Sequence, residues 1–161
     1  MYLKIIILVL TLLYMLILKG QNNLVGSSGY IKARKKLAIF TAILLIIQSG
    51  LRHVGVGPDT YQYMVSFEDC IHYSWAQVFQ NFIDVYQYGE GKDAGYTLLV
   101  KVFSLFSTDY QVYLMFVAIM VFVPMVRFVY KNTERLEDIW FATLLYLTLF
   151  YSFFSITGIR Q

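Results

Sequence analysis

The sequence predicts an all-α fold: a polytopic transmembrane helical bundle with amphipathic interfacial helices in one large extracytoplasmic loop. Three observations carry that expectation. Apolar residues make up 58% of the 161-residue chain and charged residues 14%, with a mean hydropathy of +0.59. An ordinary soluble domain is about 45–50% apolar and about 25% charged. The excess is gathered into runs near residues 3–18, 37–51, 110–130 and 139–157 rather than spread as a water-soluble core would be. Between the second and third runs, residues 52–109 are markedly more polar and carry helix-capping signals.

The first run, flanked by Lys4 and Lys19, falls short of the roughly 20 residues a spanning helix needs, and its lysines can extend it by snorkelling. A signal peptide is the competing reading, but Gly20-Gln21-Asn22-Asn23 offers no small-x-small cleavage site. Residues 20–36 read as a Gly/Ser/Asn-rich connection ending in Lys32, Arg34, Lys35 and Lys36. Such a cation cluster beside a span marks the cytoplasmic side. Residues 37–51 then form the second span.

Within 52–109, Asp59 followed by Gln62 is a capping-box pattern that predicts a helix from Thr60 towards Phe67. Ser74 with Gln77 is another. Behind it Trp75, Val78, Phe79, Phe82, Ile83 and Tyr86 recur at helical spacing, an amphipathic stripe expected to lie in the membrane interface. A glycine-rich turn at 88–95 leads to a short apolar segment, 96–106, expected to lie on or dip into the outer surface. Pro124 falls inside the third span and is expected to kink it, because proline removes one backbone hydrogen bond and clashes with the preceding turn.

Counting crossings from the basic cluster puts the N-terminus outside, 20–36 inside, 52–109 outside, 131–138 inside and Arg160 outside. The expected location is therefore a cell membrane crossed several times, with Arg52, Asp59, Lys92, Asp93 and Arg160 on one non-cytoplasmic surface. The chain stops at Gln161 directly after an apolar run, which predicts a single transmembrane domain that is the N-terminal part of a longer protein.

Several chemistries are excluded or disfavoured. Cys70 is the only cysteine, so no intrachain disulfide or thiolate cluster forms, and His53 and His72 are too few and too scattered for a metal site. No cofactor is expected. The net charge of +3 is small and its cations are local, so nucleic acid is not an expected partner.

The stretch from Arg52 to Tyr63 and the ending Gly158-Ile159-Arg160-Gln161 carry the chemistry. Arginine suits phosphate because its planar guanidinium offers paired donors and stays charged. Arg52 and Arg160, at the outer ends of two spans, can hold a lipid-linked diphosphate. A carboxylate such as Asp59 can take the proton of a sugar hydroxyl attacking an anomeric carbon. Tyr61, Tyr63, Tyr88 and Tyr96 can stack on sugar faces. Each residue also has a plainer reading: Asp59 as a helix cap worth about 1 kcal/mol, and Arg52 as an interfacial anchor.

The order Arg52, Gly57-Pro58-Asp59-Thr60-Tyr61 with Tyr63, Asp93-Ala94-Gly95-Tyr96 opening Leu98-Leu99-Val100-Lys101, and Phe154 with Gly158-Ile159-Arg160-Gln161 resembles the EpsG family. Its members are Wzy-like polymerases of bacterial exopolysaccharide and capsule. The resemblance implies a membrane glycosyltransferase that joins polyprenyl-diphosphate-linked oligosaccharide repeat units, with Asp59 catalytic and Arg52, Arg160, Gln161, Tyr63, Tyr96 and Asp93 binding substrate. It implies the bilayer, the lipid-linked glycan and other polysaccharide-assembly proteins as partners. The alternatives are a multi-span glycosyltransferase using polyprenyl-phosphate sugars, and a non-catalytic membrane subunit or flippase component. No span carries an ionisable group at mid-depth, which counts against an ion-coupled carrier.

Overall fold

A computed structural model describes residues 2–21, 24–53, 55, 60–91 and 93–149. Every regular element among them is helical: α1 (Tyr2–Gln21), α2 (Ser28–Gly50), α3 (Thr60–His72), α4 (Trp75–Ile83) continued by a π-helical turn (Asp84–Tyr88), α5 (Ala94–Phe103), α6 (Tyr110–Asn132) and α7 (Leu136–Thr148). The chain divides into two compact units. The first holds α1, α2, α7 and α6 from Met115 onward, and the second holds α3, α4, α5 and the first turn of α6.

In the first unit, α1 buries only Ile7, Thr11, Met15 and Leu18, a narrow stripe at three- and four-residue steps. Ile5, Ile6, Val9, Leu13 and Leu16 face outward and are exposed. Only 22% of its apolar window is buried. A soluble core helix would bury most of such a window, whereas a lipid-facing helix has no reason to. Thr11, Thr41 and Thr143 are buried as well, beside Ile7, Leu37, Leu45 and Ile139, and the Thr11 and Thr143 hydroxyls donate to the carbonyls of Ile7 and Ile139 at 2.8 Å. Hydroxyl residues at helix contacts are a feature of helices packed in a bilayer, and so many outward-facing aliphatics suit lipid rather than water. Helices α1 and α6 are long and apolar enough to cross one, and α6 runs unbroken through Pro124. This is a membrane protein.

The apolar segment 37–50 lies within α2, but the connection ahead of it differs from the sequence reading. The basic cluster is not a loop: α2 begins at Ser28, where the Ser27 hydroxyl accepts the Tyr30 N–H at 3.1 Å. Once this cap satisfies an end donor, Lys and Arg, good helix formers, extend the helix backward from the apolar segment. Arg34 then works within the protein. It lies 4.9 Å over the Tyr130 ring and donates to the carbonyls of Tyr130 and Thr133, at the C-terminal end of α6. Cations are favourable there because the last helical carbonyls lack intrahelical partners. Helix α7 is described as far as Thr148, with the Asp138 carboxylate accepting the Arg135 N–H at 3.0 Å ahead of it. An exposed ion pair joins Lys19 to Glu137 and holds the Glu137 carboxyl below its usual range, chiefly through their hydrogen bond.

The second unit has a core of its own. Thr60, Tyr63, Phe67 and Cys70 fall on one face of α3 and are buried. Phe67 and Tyr113 stack with ring centroids 4.9 Å apart, and Phe103 meets Tyr113 edge-on at 5.2 Å. Helix α5, expected to lie on the membrane surface, buries Ala94, Tyr96, Thr97, Val100 and Phe103 within this core. The sequence does not reveal that α3 and α4 pack against this face, while Leu99 and Val102 of the same helix stay exposed. Helix α4 keeps most of its stripe outside: Val78 is buried, while Trp75, Phe79, Phe82, Ile83 and Tyr86 are exposed. The Ser74–Gln77 capping box forms as the spacing predicts, the Ser74 N–H donating to Gln77 Oε1 at 2.7 Å and the Gln77 N–H to Ser74 Oγ at 3.3 Å.

Candidate functional site

Asp59, Lys92, Arg160 and Gln161 lie outside the described residues, so geometry bears on Arg52, Tyr63, Asp93 and Tyr96. All four belong to the second unit. Arg52, just past α2, is 6% exposed rather than open on a surface. Its guanidinium is hydrogen-bonded to the Tyr110 side chain and sits within electrostatic reach of Tyr63. Burial pulls its pKa below the usual arginine value, and Tyr110 partly offsets that. The group nevertheless stays charged at physiological pH. The Tyr110 hydroxyl also donates to the Thr60 carbonyl at 3.3 Å, tying the start of α6 to the start of α3. Beside it Tyr113 is fully buried, and its hydroxyl has no hydrogen-bond partner among the described residues. The ring of Tyr113, not its hydroxyl, holds this cluster.

Tyr63 joins the arginine to a cavity. Its backbone carbonyl accepts the Tyr96 hydroxyl at 3.2 Å, and Tyr96 forms part of the floor of a hollow of about 440 Å³ between α3, α4 and α5. Cys70 and Thr97 complete the buried floor. Ser66, Asn81, Asp84 and Asp93 form half-buried walls, and Asp69, Tyr73, Gln77 and Gln80 an exposed rim. The volume lies in the range of small-ligand pockets, about 300–1,000 Å³.

Local structure fixes these side chains. The Thr97 hydroxyl donates to the Asp93 carbonyl at 3.4 Å and accepts from Asn81 Nδ2 at 3.2 Å, bridging α5 to α4. Gln80 Nε2 holds an Asp84 oxygen at 2.8 Å. Asp93 takes a left-handed backbone conformation, φ 56°, immediately before α5. Side chains other than glycine seldom adopt it, and such positions cluster at functional sites. At Gly91, φ is +90°, and an added Cβ would come within 3.2 Å of Asn81 Oδ1. The glycine lets the turn after the π-helical segment pass close to the cavity wall.

The structure thus brings Asp93, Tyr96, Tyr63 and Arg52 into one connected region. It adds cavity residues that the sequence reading missed: Asp69, Tyr73, Gln77, Gln80, Asn81 and Asp84. Their signal was present. Positions 77, 80, 81 and 84 form the polar face of α4, and 66, 69, 70 and 73 form one side of α3. No group of three or more acidic, histidine or cysteine side chains among the described residues is arranged to hold a metal ion.

The family model described as the EpsG family matches residues 35–161, most of the chain and every part of this site. The chain belongs to the EpsG family. Comparisons with curated proteins and with solved structures found no match. In this EpsG-family chain the cavity and Arg52 are therefore assigned a role from their own chemistry.

Proposed function

We propose that this EpsG-family protein is a multi-pass membrane polymerase that transfers a glycan from a polyprenyl diphosphate in exopolysaccharide or capsule biosynthesis. The observation that carries the reading is the family match, which spans Arg52, Asp59, Asp93, Tyr96, Arg160 and Gln161 in one continuous block. The cavity beside Asp93 and Tyr96 supports it, since it offers room and hydrogen-bonding groups for a polar ligand. In the proposed reaction an acceptor sugar hydroxyl attacks the anomeric carbon of the lipid-linked glycan. The new glycosidic C–O bond forms as the bond from that carbon to the phosphate oxygen breaks. Polyprenyl diphosphate leaves with the electron pair, and Asp59 receives the hydroxyl proton. Arg52 and Arg160 stabilise the charge gathering on the diphosphate, each by paired donors. Tyr110 and Tyr63 orient the Arg52 guanidinium.

The test uses the full-length protein in a cell lacking its own polymerase. Arg160→Lys keeps the charge but loses the paired donors, so polymer should fall strongly at unchanged protein abundance, and single repeat units should accumulate on lipid. Arg52→Ala should do at least as much damage. Normal polymer from both variants would overturn the reading.

The same proposal requires the second unit to lie outside the cell and the basic end of α2 inside. In a Cys70→Ala background, an impermeant thiol reagent should label cysteine placed at the exposed positions Glu90 or Gln87, but not at Ser28 or Glu134. The opposite pattern would sink the orientation.

A further inference from the structure

We infer that the cavity between α3, α4 and α5 is a saccharide subsite that takes a hydroxyl-rich sugar unit bearing no carboxylate, phosphate or sulfate. This deepens the polymerase reading and rests on it. The argument starts from the groups left over once the protein's own hydrogen bonds are made. Asp69 has no hydrogen-bond or ion-pair partner among the described residues, and one carboxylate oxygen of Asp84 is engaged by Gln80. Gln77 spends its carbonyl oxygen on the Ser74 N–H, which leaves its amide donors for a ligand. Asn81 spends its amide on Thr97, which leaves its carbonyl oxygen.

With Asp93, the lining contains three acidic side chains and, among the described residues, no lysine, arginine or histidine; Asp69 and the second oxygen of Asp84 are the acceptors left for a ligand. Acceptors outnumber donors, so the best ligand is a dense array of donors. Vicinal sugar hydroxyls supply that array, and each can bond a carboxylate with the strength of a charge-assisted contact. Tyr73 and Tyr96 add ring surface, against which the apolar face of a pyranose can pack. An anionic sugar meets repulsion from all three carboxylates, with no cation in the lining to offset it. The only cation that this unit's described residues hold in a buried place, Arg52, does not line the cavity. The division of labour follows: sugar in the acidic cavity, diphosphate at the arginines.

Cys70, the only thiol of the chain, lies on the cavity floor and reports occupancy. The experiment uses the full-length protein in lipid nanodiscs and follows modification of Cys70 by methyl methanethiosulfonate, an uncharged reagent. The probes are neutral gluco-, galacto-, manno- and N-acetylglucosamine oligosaccharides, each paired with a counterpart whose primary alcohols are oxidised to uronates. At least one neutral probe should slow modification several-fold, and its oxidised counterpart should not. Asp69→Asn, an exposed change with little bearing on folding, should weaken that protection by roughly ten-fold, the loss of one charge-assisted hydrogen bond. Asp69→Lys should confer protection by the oxidised probe at the expense of the neutral one. Equal protection by neutral and oxidised probes, or none from any neutral probe, would overturn the inference. Polymer analysis in a deletion strain separates it from the polymerase reading. Selective protection with polymer intact in the deletion strain retains the subsite and refutes the polymerase. Lost polymer without protection does the reverse.

Discussion

Asp59→Asn in the full-length protein should cut polymer output by about 10²–10⁴-fold, the usual worth of a general base, while the amount of protein in the membrane stays unchanged. Asparagine is the informative replacement because it caps a helix about as well as aspartate does. Asp59 directly precedes Thr60, the first residue of α3, so a capping role and a catalytic role coincide at one position. The two roles separate by measurement. If Asp59 accepts the proton of the acceptor hydroxyl, the amide cannot replace it, and lipid-linked single repeat units accumulate behind the block. If Asp59 only caps α3, Asp59→Asn is nearly silent, whereas Asp59→Ala lowers abundance through the loss of about 1 kcal/mol of helix stability. Quantitative immunoblotting beside polymer chain-length analysis reads both. Normal polymer from a well-expressed Asp59→Asn protein would reduce the residue to a cap.

What the sequence made legible follows from which interactions are local. Capping and periodicity act within a few residues, so the Ser74–Gln77 box and the start of α3 at Thr60 could both be read directly. Hydropathy likewise marked α1 and α6. What depends on a distant partner was not legible. Nothing local marks Val100 and Phe103 in α5 as the residues that α3 and α4 help to bury. Lys32 to Lys36 read as a loop because charge signals exposure, yet Ser27 caps a helix ahead of them, and Arg34 finds the carbonyls of Tyr130 and Thr133 some hundred positions away. The same distinction governs the site. Asp93 and Tyr96 were legible from a family-like motif. Asp69 and Asp84 were not, because only the packing of α3 and α4 with α5 turns the polar faces of two helices into the walls of one cavity.

Phe67→Ala should destabilise the second unit by about 3–5 kcal/mol, the range measured for deleting a fully buried phenylalanine ring. Phe67 has no exposed surface, and its ring centroid lies 4.9 Å from that of Tyr113, 5.5 Å from Tyr110 and 6.5 Å from Phe103. It therefore joins α3, α5 and the first turn of α6 at one point. A loss of this size is a large share of the roughly 5–15 kcal/mol that holds a domain folded. The cavity would open with it, since Cys70 follows Phe67 by one helical turn on the buried face of α3. Thermal unfolding of the purified full-length protein, or limited proteolysis between residues 60 and 107, should show earlier loss of this unit. Phe79→Ala supplies the contrast. That ring is 60% exposed on the outer stripe of α4, so its removal should leave stability within about 0.5 kcal/mol. If the stripe rests against lipid, Phe79→Ala instead weakens protection of α4 from collisional quenchers dissolved in the aqueous phase. An unfolding midpoint for Phe67→Ala equal to that of the wild type would mean that the aromatic cluster does not hold α3, α5 and the start of α6 together. In that event Arg52, which is hydrogen-bonded to the Tyr110 side chain, would lose the structural basis for its proposed role.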